Sequence, residues 1–308
     1  MKTFAVTVLG SGAAIPLLQR NPSAHLLNIH ENLYLVDCAE GTQLQLRKSR
    51  VRMQRIDHIF ISHLHGDHYF GLLGLITSLH LLGRTKELYV FAHAKLKEII
   101  DIHLDASNTV LRYPMLFQEI NPEKHEMIFE NDSVTVESFP LNHNFPVNGF
   151  LFREKPARPN IRADFLENRQ LSNIELQKIK KGENYIDPEG NIYFNQDITT
   201  PPPPPRSYAY CSDTAYYEPV IPVIKGADLL YHEATFMEDK AQDAADKFHS
   251  TAAQAATIAK LAGVKRLMIG HYSARYKTLG ALLNEAKAVF PETILADDGK
   301  VVIVNQEE

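Results

Sequence analysis

The sequence lacks several features that would fix its class at once. Only two cysteines, Cys38 and Cys211, occur in 308 residues. They cannot build a disulfide framework, so we expect two buried thiols in a reduced, cytoplasmic protein. No stretch approaches the ~20 apolar residues that span a membrane. A basic excess is also missing, because the formal net charge is −5. Any contact with nucleic acid must therefore come from a local basic patch.

Apolar residues are plentiful by contrast. Hydrophobic residues make up 44% of the chain and charged residues 22%, which is a normal balance for a globular protein with a large core. The length suits one domain, 1–308, with an insertion. Short strand patterns come in two groups, each followed by helical patterns. This order predicts two sheets face to face with helices outside, although composition alone also permits a plain α/β fold.

The periodicity predicts the following elements. The strands are Phe4–Leu9, His25–His30, Leu33–Asp37, His58–Ser62, Leu88–Phe91, Glu126–Glu130, Ser133–Phe139, Tyr208–Ser212, Leu229–Tyr231, Arg266–Gly270, Thr293–Ala296 and Val301–Val304. The helices are Thr42–Ser49, Tyr69–Leu82, Ala94–Leu104, Tyr216–Lys225, Thr251–Leu261 and Thr278–Phe290. Gly10, Ser11 and Gly12 predict a tight turn after the first strand.

Residues 153–205 break this rhythm. Hydrophobic periodicity fades there, and the segment ends in five prolines, Pro201–Pro205. Between Arg153 and Lys181 there are eight basic and four acidic residues, a net charge of +4 that leaves −9 for the rest of the chain. We interpret the segment as an inserted arm, with the proline run as a stiff polyproline II connector back to the core. A solvated loop without a partner is the alternative.

A dense group of polar residues follows the apolar strand that ends near Ser62. It reads His63-Leu-His65-Gly-Asp67-His68. Imidazole and carboxylate are the ligands of open, catalytic zinc sites. His63 and His65 can point the same way, while Asp67 and His68 begin the next helix. Four ligands this dense are better shared between two metal ions than packed around one. The alternative interpretation is a solvated turn with four polar residues, but such clustering is not expected by chance directly after a buried strand.

Three later residues complete a two-metal set. His143, Asp213 and His271 each follow an apolar strand, where α/β folds gather their functional groups. Together with the first group they resemble the metallo-β-lactamase fold superfamily in the right order along the chain. That resemblance implies an αββα sandwich with the metal ions along one edge.

Further segments narrow the resemblance to the ribonuclease Z family, the tRNA 3′-processing endonucleases. The match covers residues 1–152 and 206–304. The segments are Asp37-Cys-Ala-Glu-Gly-Thr-Gln43, His232-Glu-Ala-Thr235, His249-Ser-Thr-Ala252 and His271-Tyr-Ser-Ala-Arg-Tyr276.

The resemblance implies a role for each matching position. His63, His65 and His143 would bind one zinc ion; Asp67, His68 and His271 would bind the other. Asp213 would bridge the two, and Asp37 would orient a ligand histidine. Mn²⁺ or Fe²⁺ would accept similar sites.

Catalysis and substrate binding are implied in the same way. Asp67 would accept a proton from the attacking water, and the Glu233–His249 pair would protonate the departing 3′-oxygen. A structural role is the alternative for this pair, since Ser250 and Thr251 cap helices well. Substrate contacts would come from Lys178, Lys180, Lys181 and Arg275.

The family carries a protruding exosite at the position of the arm, which clamps the tRNA elbow, and its members are typically homodimers. Lys180-Lys-Gly-Glu183 matches the exosite. Leu171–Gln177 replaces the Gly-Pro-rich stretch expected before it.

The hypothesis is therefore a zinc endoribonuclease that removes 3′ extensions from precursor tRNA and leaves a 3′-hydroxyl. A small-molecule phosphodiesterase or esterase of the same fold is one alternative, and a non-catalytic RNA-binding module is another. The residues around the metal ions do not decide between one endonucleolytic cut and trimming from the end.

Overall fold

The computed structural model describes residues 2–167 and 169–304. They form two compact units, the first of residues 2–153 and 206–304 and the second of residues 154–205.

The strands of the described residues, in chain order, are β1 Phe4–Gly10, β2 Ala24–Ile29, β3 Asn32–Val36, β4 Ile56–Phe60, β5 Leu88–Ala92, β6 Met115–Glu119, β7 Glu126–Glu130, β8 Val134–Pro140, β9 Asn148–Glu154, β10 Asn160–Ile161, β11 Tyr185–Ile186, β12 Ile192–Tyr193, β13 Thr199–Thr200, β14 Ser207–Cys211, β15 Leu229–Glu233, β16 Leu267–Gly270, β17 Thr293–Leu295 and β18 Val301–Ile303.

The α-helices of the same residues are α1 Thr42–Lys48, α2 Gly66–Tyr69, α3 Leu72–Leu81, α4 Lys95–Ala106, α5 Ala163–Leu166, α6 Asn173–Lys180, α7 Asn195–Ile198, α8 Ile221–Ile224, α9 Ala241–Asp246, α10 Ala252–Ala262 and α11 Gly280–Val289. Short 3₁₀ turns cover Met53–Arg55, Glu218–Val220 and Glu238–Lys240.

Two seven-stranded mixed sheets form the first unit. The strand order is β18-β1-β2-β3-β4-β5-β6 in one sheet and β17-β16-β15-β14-β9-β8-β7 in the other. Strands β3 to β6 run parallel, and so do β14 to β17. Carboxyl ends of parallel strands meet at one edge of a sheet, so the loops after these strands lie together.

Three apolar layers hold the sheets and helices together. Aromatic residues of both sheets form the central layer, in which the rings of Phe60 and Phe150 are 5.7 Å apart. Leu75 of α3 and Ile100 of α4 pack on the outer face of the first sheet. Ala255 of α10 does the same on the second sheet. The order helix, sheet, sheet, helix confirms the predicted αββα sandwich.

Both cysteines behave as expected, since each is buried and neither forms a disulfide. Among residues 2–167 and 169–304, we find no helix with the length and hydrophobicity needed to cross a membrane.

Most predicted elements are present, but several predictions were wrong. The single helix expected over Tyr216–Lys225 is a 3₁₀ turn followed by the four-residue α8. Pro219 and Pro222 explain the break, because proline has no N–H and is tolerated only in the first turn of a helix. The helix expected over Tyr69–Leu82 is divided into α2 and α3. Strands β6 and β9 were missed.

The second unit is more structured than its composition suggested. Helix α6 begins with a capping box, in which Ser172 and Glu175 satisfy each other's backbone N–H groups. Strands β10 and β13 pair, as do β11 and β12. A small apolar cluster holds these elements together, with Phe165, Ile179, Tyr185 and Ile198 buried in it. The few apolar residues of this segment are far apart in sequence, which is why no periodicity was visible.

Candidate metal centre

The loop between β4 and α3 brings four polar side chains to the edge of the first sheet. His63 and His68 are buried, with ring centroids 4.1 Å apart. His65 is the residue before α2, and Asp67 lies in the first turn of that helix. Nε2 of His63 and Nδ1 of His65 are 3.1 Å apart. Two ligand atoms around a tetrahedral ion with bonds of 2.0–2.1 Å are about 3.4 Å apart, so the spacing suits a shared ion.

The second sheet supplies three more ligand candidates at the same edge. His143 follows β8, Asp213 follows β14 and His271 follows β16. One carboxylate oxygen of Asp213, Oδ1, lies 3.2 Å from Nε2 of His271 and 3.3 Å from Nε2 of His68. The other oxygen, Oδ2, lies 3.7 Å from Nε2 of His63. Asp213 therefore faces histidines of two different groups.

Two sets of side chains are close enough to hold a metal ion each. Within each set, one ligand atom per residue lies within 4.8 Å of all the others. The sets are His63, His65, His143 and Asp213, and Asp67, His68 and His271. A third combination joins Asp213, His249 and His271. The structure thus brings all seven residues predicted as ligands into one place, and adds His249 beside them.

A buried carboxylate fixes the ring of His68. Asp37 follows β3 and has a left-handed φ of 55°. Its Oδ2 atom lies 2.8 Å from Nδ1 of His68 and accepts hydrogen bonds from the hydroxyls of Ser62 and Tyr210. The Ser62 hydroxyl in turn lies 3.1 Å from Nδ1 of His63. Because Asp37 only accepts, His68 donates to it from Nδ1. The Ser62 hydroxyl donates its proton to Asp37 and therefore accepts from Nδ1 of His63, so both histidines present Nε2 to the site.

The two histidines from the second sheet are oriented in the same manner. Nδ1 of His143 lies 2.9 Å from the backbone carbonyl oxygen of Phe248. Nδ1 of His271 lies 2.9 Å from the Thr235 hydroxyl, which donates to Oε2 of Glu233. In both rings Nδ1 is the donor, so the lone pair of Nε2 is directed at the cluster.

The surroundings of one nitrogen atom in the cluster indicate a site for a cation. Nε2 of His68 is buried and has no hydrogen-bond partner among the described residues, although Asp213 and Asp67 carboxylate oxygens lie 3.3 and 3.7 Å away. An imidazole lone pair beside two carboxylates is unfavourable unless a positive charge lies between them. The donor set, imidazole nitrogens and carboxylate oxygens, is what zinc and related ions take. The residues present therefore fit a metal ion.

The pKa values of His68 and Asp213 also indicate that the cluster favours a positive charge. Burial lowers the pKa of His68, but the carboxylates of Asp213, Asp67 and Asp37 raise it well above its usual value. Burial raises the pKa of Asp213, but His271 and His68 hold it well below its usual range. Asp213 thus remains ionised and stabilises positive charge at the centre, whether a proton or a metal ion supplies it.

Glu233 and His249 form a buried ion pair beside the cluster. Nδ1 of His249 lies 2.7 Å from Oε1 of Glu233. The backbone N–H groups of Thr214 and Thr235 also donate to this carboxylate. Burial lowers the pKa of His249, but Glu233 raises it to about 9, so the imidazole is protonated at neutral pH. Helix capping, the alternative role, belongs to Thr251, which forms a capping box with Gln254.

A cavity of about 500 Å³ opens onto the cluster. His65, Asp67, His143, Asp213, His249 and His271 line it, together with Phe236, Lys247 and Arg275. Arg275 lies over the Phe236 ring and pairs with Asp243 at 3.3 Å. The turn after β1 also reaches the cavity, where the Ala14 backbone N–H donates to Oδ2 of Asp67 at 2.6 Å.

The three lysines predicted to bind substrate lie in the second unit. Lys178 and Lys180 belong to the last turn of α6, and Lys181 caps that helix. Lys178 and Lys181 are exposed, and Lys180 is half-buried. The apolar Ile179 between them is buried in the small core of this unit.

Sequence reasoning missed the side chains that hold the ligands. Ser62 directly precedes His63, and Thr235 lies two positions after Glu233. The family resemblance covers the His232–Thr235 segment but gives its threonine no role. Tyr210 gave no signal, because a tyrosine inside an apolar strand is expected in the core. The contribution of Phe248 is a backbone carbonyl, which no sequence pattern reveals.

Comparisons with known proteins agree with this geometry. A family model described as "Anti-Pycsar protein Apyc1" matches residues 4–157, and one described as "Beta-lactamase superfamily domain" matches residues 203–272. The ribonuclease Z of Phocaeicola vulgatus is 46% identical over 296 residues, which cover 96% of both chains. The ribonuclease Z of Bacteroides fragilis is 46% identical over 299 residues, covering 97% of this chain and 98% of the relative.

Two solved structures share the fold over nearly the whole chain. Human tRNase Z, short form, superposes with a TM-score of 0.72 at 28% identity and covers 98% of this chain and 99% of its own. The metallo-β-lactamase fold protein YhfI from Bacillus subtilis has a TM-score of 0.70 at 20% identity and shows the fold alone, over 98% of this chain and 100% of its own. With these relatives, this sandwich and this cluster of histidines and aspartates, the chain belongs to the ribonuclease Z family of metallo-β-lactamase fold proteins.

Proposed function

We propose that this chain is a hydrolytic endoribonuclease that removes the 3′ extension from precursor tRNA and leaves a 3′-hydroxyl on the tRNA. One observation carries the proposal. In a chain 46% identical to ribonuclease Z over nearly its full length, residues of the histidine and aspartate cluster line one cavity together with His249, the partner of Glu233. A phosphodiester in that cavity would meet metal-binding side chains and a proton donor at once.

The proposal includes two metal ions, and zinc is the ion that the ligands suit best. His63, His65 and His143 would hold one ion, and Asp67, His68 and His271 the other. Asp213 would bridge them, which is supported by its Oδ1 and Oδ2 atoms facing histidines of different groups. Mn²⁺ or Fe²⁺ would accept the same donors.

Two metal ions held in this way would lower the pKa of a water molecule and would stabilise both the attacking and the leaving oxygen of a displaced phosphate. The protein orients the water. Oδ2 of Asp67 is fixed by the Ala14 backbone N–H at 2.6 Å. The other oxygen of Asp67, Oδ1, is proposed to accept a hydrogen bond from the water and then its proton.

His249 completes the reaction as the general acid. When the P–O3′ bond breaks, the departing 3′-oxygen needs a proton, and a protonated imidazole in the cavity supplies it. Glu233 keeps that imidazole protonated and directed, since it accepts from Nδ1 and leaves Nε2 toward the cavity. The products are a tRNA with a 3′-hydroxyl and a released fragment with a 5′-phosphate.

Binding of the tRNA is proposed to involve basic side chains of both units. Arg275 lines the cavity and is suited to a phosphate near the cut. Lys178, Lys180 and Lys181 in the second unit are proposed to contact phosphates of the tRNA body. Their support is the +4 charge of residues 153–181, in which all three lie, against −9 for the rest of the chain, because lysine contacts with phosphates give affinity without sequence preference.

The assembly and location follow by family resemblance. We propose a homodimer, in which the arm of one subunit serves the other's active site, and a cytoplasmic location where precursor tRNA is present. Light scattering after size-exclusion chromatography measures the mass of the particle. A mass of one chain at micromolar concentration would contradict the dimer.

Removal of the arm tests the substrate assignment. A variant without residues 155–200 should lose cleavage of precursor tRNA but still hydrolyse bis(p-nitrophenyl) phosphate. A small-molecule phosphodiesterase would keep both activities unchanged.

His68→Ala should abolish both activities, and RNA cleavage that survived it would show that the metal centre has been misplaced. If the wild type cleaves neither RNA nor bis(p-nitrophenyl) phosphate, the chain is a binding module.

A further inference from the structure

A second cavity, of about 450 Å³, adjoins the metal centre. Ala14, His65 and Asp67 line both cavities, so the cluster lies between the two. The volume falls within the ~300–1,000 Å³ of typical ligand sites. The proposed proton donor does not reach this space, because His249 and Glu233 do not line it.

The wall of this cavity carries an aromatic side chain that is unusually open to solvent. Phe70, just after α2, is 63% exposed. A Cβ on Gly66 would lie 2.3 Å from the Phe70 ring, so the ring lies directly over the Gly66 backbone. This packing is possible only because Gly66 has no side chain. The ring lines the cavity together with His65 and Asp67, and most of its surface stays in contact with water.

The two cavities also differ in the cationic side chains that line them. Lys247 and Arg275 line the first cavity, beside Asp67, Asp213 and Asp246. The residues that line the second include Glu40 and no lysine or arginine, as far as the described part of the chain forms it. A backbone phosphate thus finds lysine and arginine partners in the first cavity, whereas the second offers an aromatic face beside the carboxylates of Glu40 and Asp67. An unpaired base is the part of RNA that such a surface suits, because bases stack on aromatic rings.

The position of His249 sets the direction of the RNA. Water adds to phosphorus, the P–O3′ bond breaks, and the proton goes to the 3′-oxygen. That oxygen belongs to the last nucleotide of the tRNA, which must therefore reach the cavity containing His249. The phosphate stays with the first nucleotide of the 3′ extension. This nucleotide therefore lies on the side of the metal centre opposite the His249 cavity, toward Phe70.

We infer that the cavity formed by Phe70, Gly66, Glu40 and the Ala14–Pro16 turn binds the first nucleotide 3′ of the cleaved bond, whose base stacks on the Phe70 ring. The inference rests on the proposed function. It assigns the enzyme a preference for an extension that begins with a stackable base, independent of which base it is.

A pair of substrates tests this directly. One precursor tRNA carries uridine at the first position of a two-nucleotide extension, and the other carries an abasic ribose there. For the wild type, kcat/KM should be roughly tenfold higher for the uridine substrate. In Phe70→Leu, which keeps an apolar side chain over Gly66 but no aromatic face, this ratio should fall to near one. Phe70→Tyr should restore it.

Controls separate stacking from folding and from general damage. Ile102→Ala, at an exposed apolar position of α4 outside both cavities, should keep the wild-type ratio. Metal content reports whether each variant is folded. If Phe70→Leu does not fold, 4-thiouridine at the first extension position should crosslink the wild type to the peptide that contains Phe70. A crosslink to the Phe236 peptide would overturn the inference.

The outcomes distinguish this inference from the function on which it rests. A wild type that cleaves both substrates at equal rates would overturn the subsite and leave the function intact. So would a Phe70→Leu variant that keeps the wild-type ratio. A wild type that cleaves neither substrate would contradict the proposed function, and the subsite with it.

Discussion

Nδ1 of His249 lies 2.7 Å from Oε1 of Glu233, and this buried pair adjoins the cluster of metal-binding side chains. The two residues are 16 positions apart in the chain, on the loop before α10 and at the end of β15. The contact keeps the imidazole charged in a place where burial alone would neutralise it. The proposed role of His249 as a proton donor at neutral pH requires this charge.

The pH dependence of cleavage should report this pair. His249 must be protonated to donate, so the rate of the chemical step should fall as pH rises through about 9. Glu233→Gln removes the negative charge that raises this pKa. The decline should then begin at lower pH, and the rate at pH 8.5 should drop by about tenfold or more. Single-turnover cleavage from pH 6 to 10 measures both curves. An unchanged alkaline limb in the variant would show that another group donates the proton.

Loss of the imidazole itself should be more damaging. His249→Ala should lower kcat by about 10²–10⁴-fold, the usual contribution of a general acid. Metal content should stay near that of the wild type if His249 is not an essential ligand. His103→Ala, on the remote helix α4, is the matched control and should behave as the wild type. A His249→Ala protein that has lost its metal would instead make His249 a ligand, in the set with Asp213 and His271.

Loss of the Asp37 carboxylate should weaken metal binding. Asp37→Asn replaces an acceptor of His68 Nδ1 with an amide that cannot accept equally from all its neighbours. Metal affinity should fall about 10–100-fold, as is common when such a partner is lost. Competition with a chromogenic chelator measures it. Asp105→Asn, an exposed aspartate of α4, should leave the affinity unchanged. Equal metal affinities in the wild type, Asp37→Asn and Asp105→Asn would show that Asp37 does not support metal binding.

The sequence predicted the sandwich and the seven candidate ligands because both depend on local patterns. Apolar strands alternate with helices, and a ligand such as Asp213 or His271 follows its strand directly. Strand β9 escaped because it runs Asn148–Glu154 into the arm and is buried on both faces, so no polar and apolar alternation marks it. The helix predicted after β14 is an error of the opposite kind, since a single helix was predicted where there is a 3₁₀ turn followed by the short α8. The apolar spacing was given more weight than Pro219 and Pro222, which break the helix.

The supporting contacts of the site lay beyond the reach of sequence. Tyr210 and Asp37 are 173 positions apart, yet the tyrosine hydroxyl lies 2.8 Å from the carboxylate. Only the pairing of the two sheets brings them together. The Phe248 carbonyl and the Ala14 backbone N–H belong to the main chain, which carries no residue-specific signal.

The lysines of the second unit should affect binding of tRNA and its dependence on salt. Replacing Lys178, Lys180 and Lys181 with alanine should raise KM for precursor tRNA and leave kcat nearly intact. The slope of log affinity against log salt should become less steep by roughly 2–3, about one for each lost phosphate contact. The control replaces three exposed lysines on helices of the first unit, Lys97, Lys260 and Lys287. If the control weakens binding equally, the effect is only one of net charge.

The products from a 3′-extended tRNA test the central claim most directly. A 5′-labelled precursor with a long extension is incubated with the protein, with and without a chelator, and the products are sized on a gel. The account predicts one tRNA-sized product with a 3′-hydroxyl, together with the extension released whole. Chelation should abolish it, and zinc should restore it. A ladder of progressively shorter products, or cleavage that persists after the metal is removed, would contradict the account.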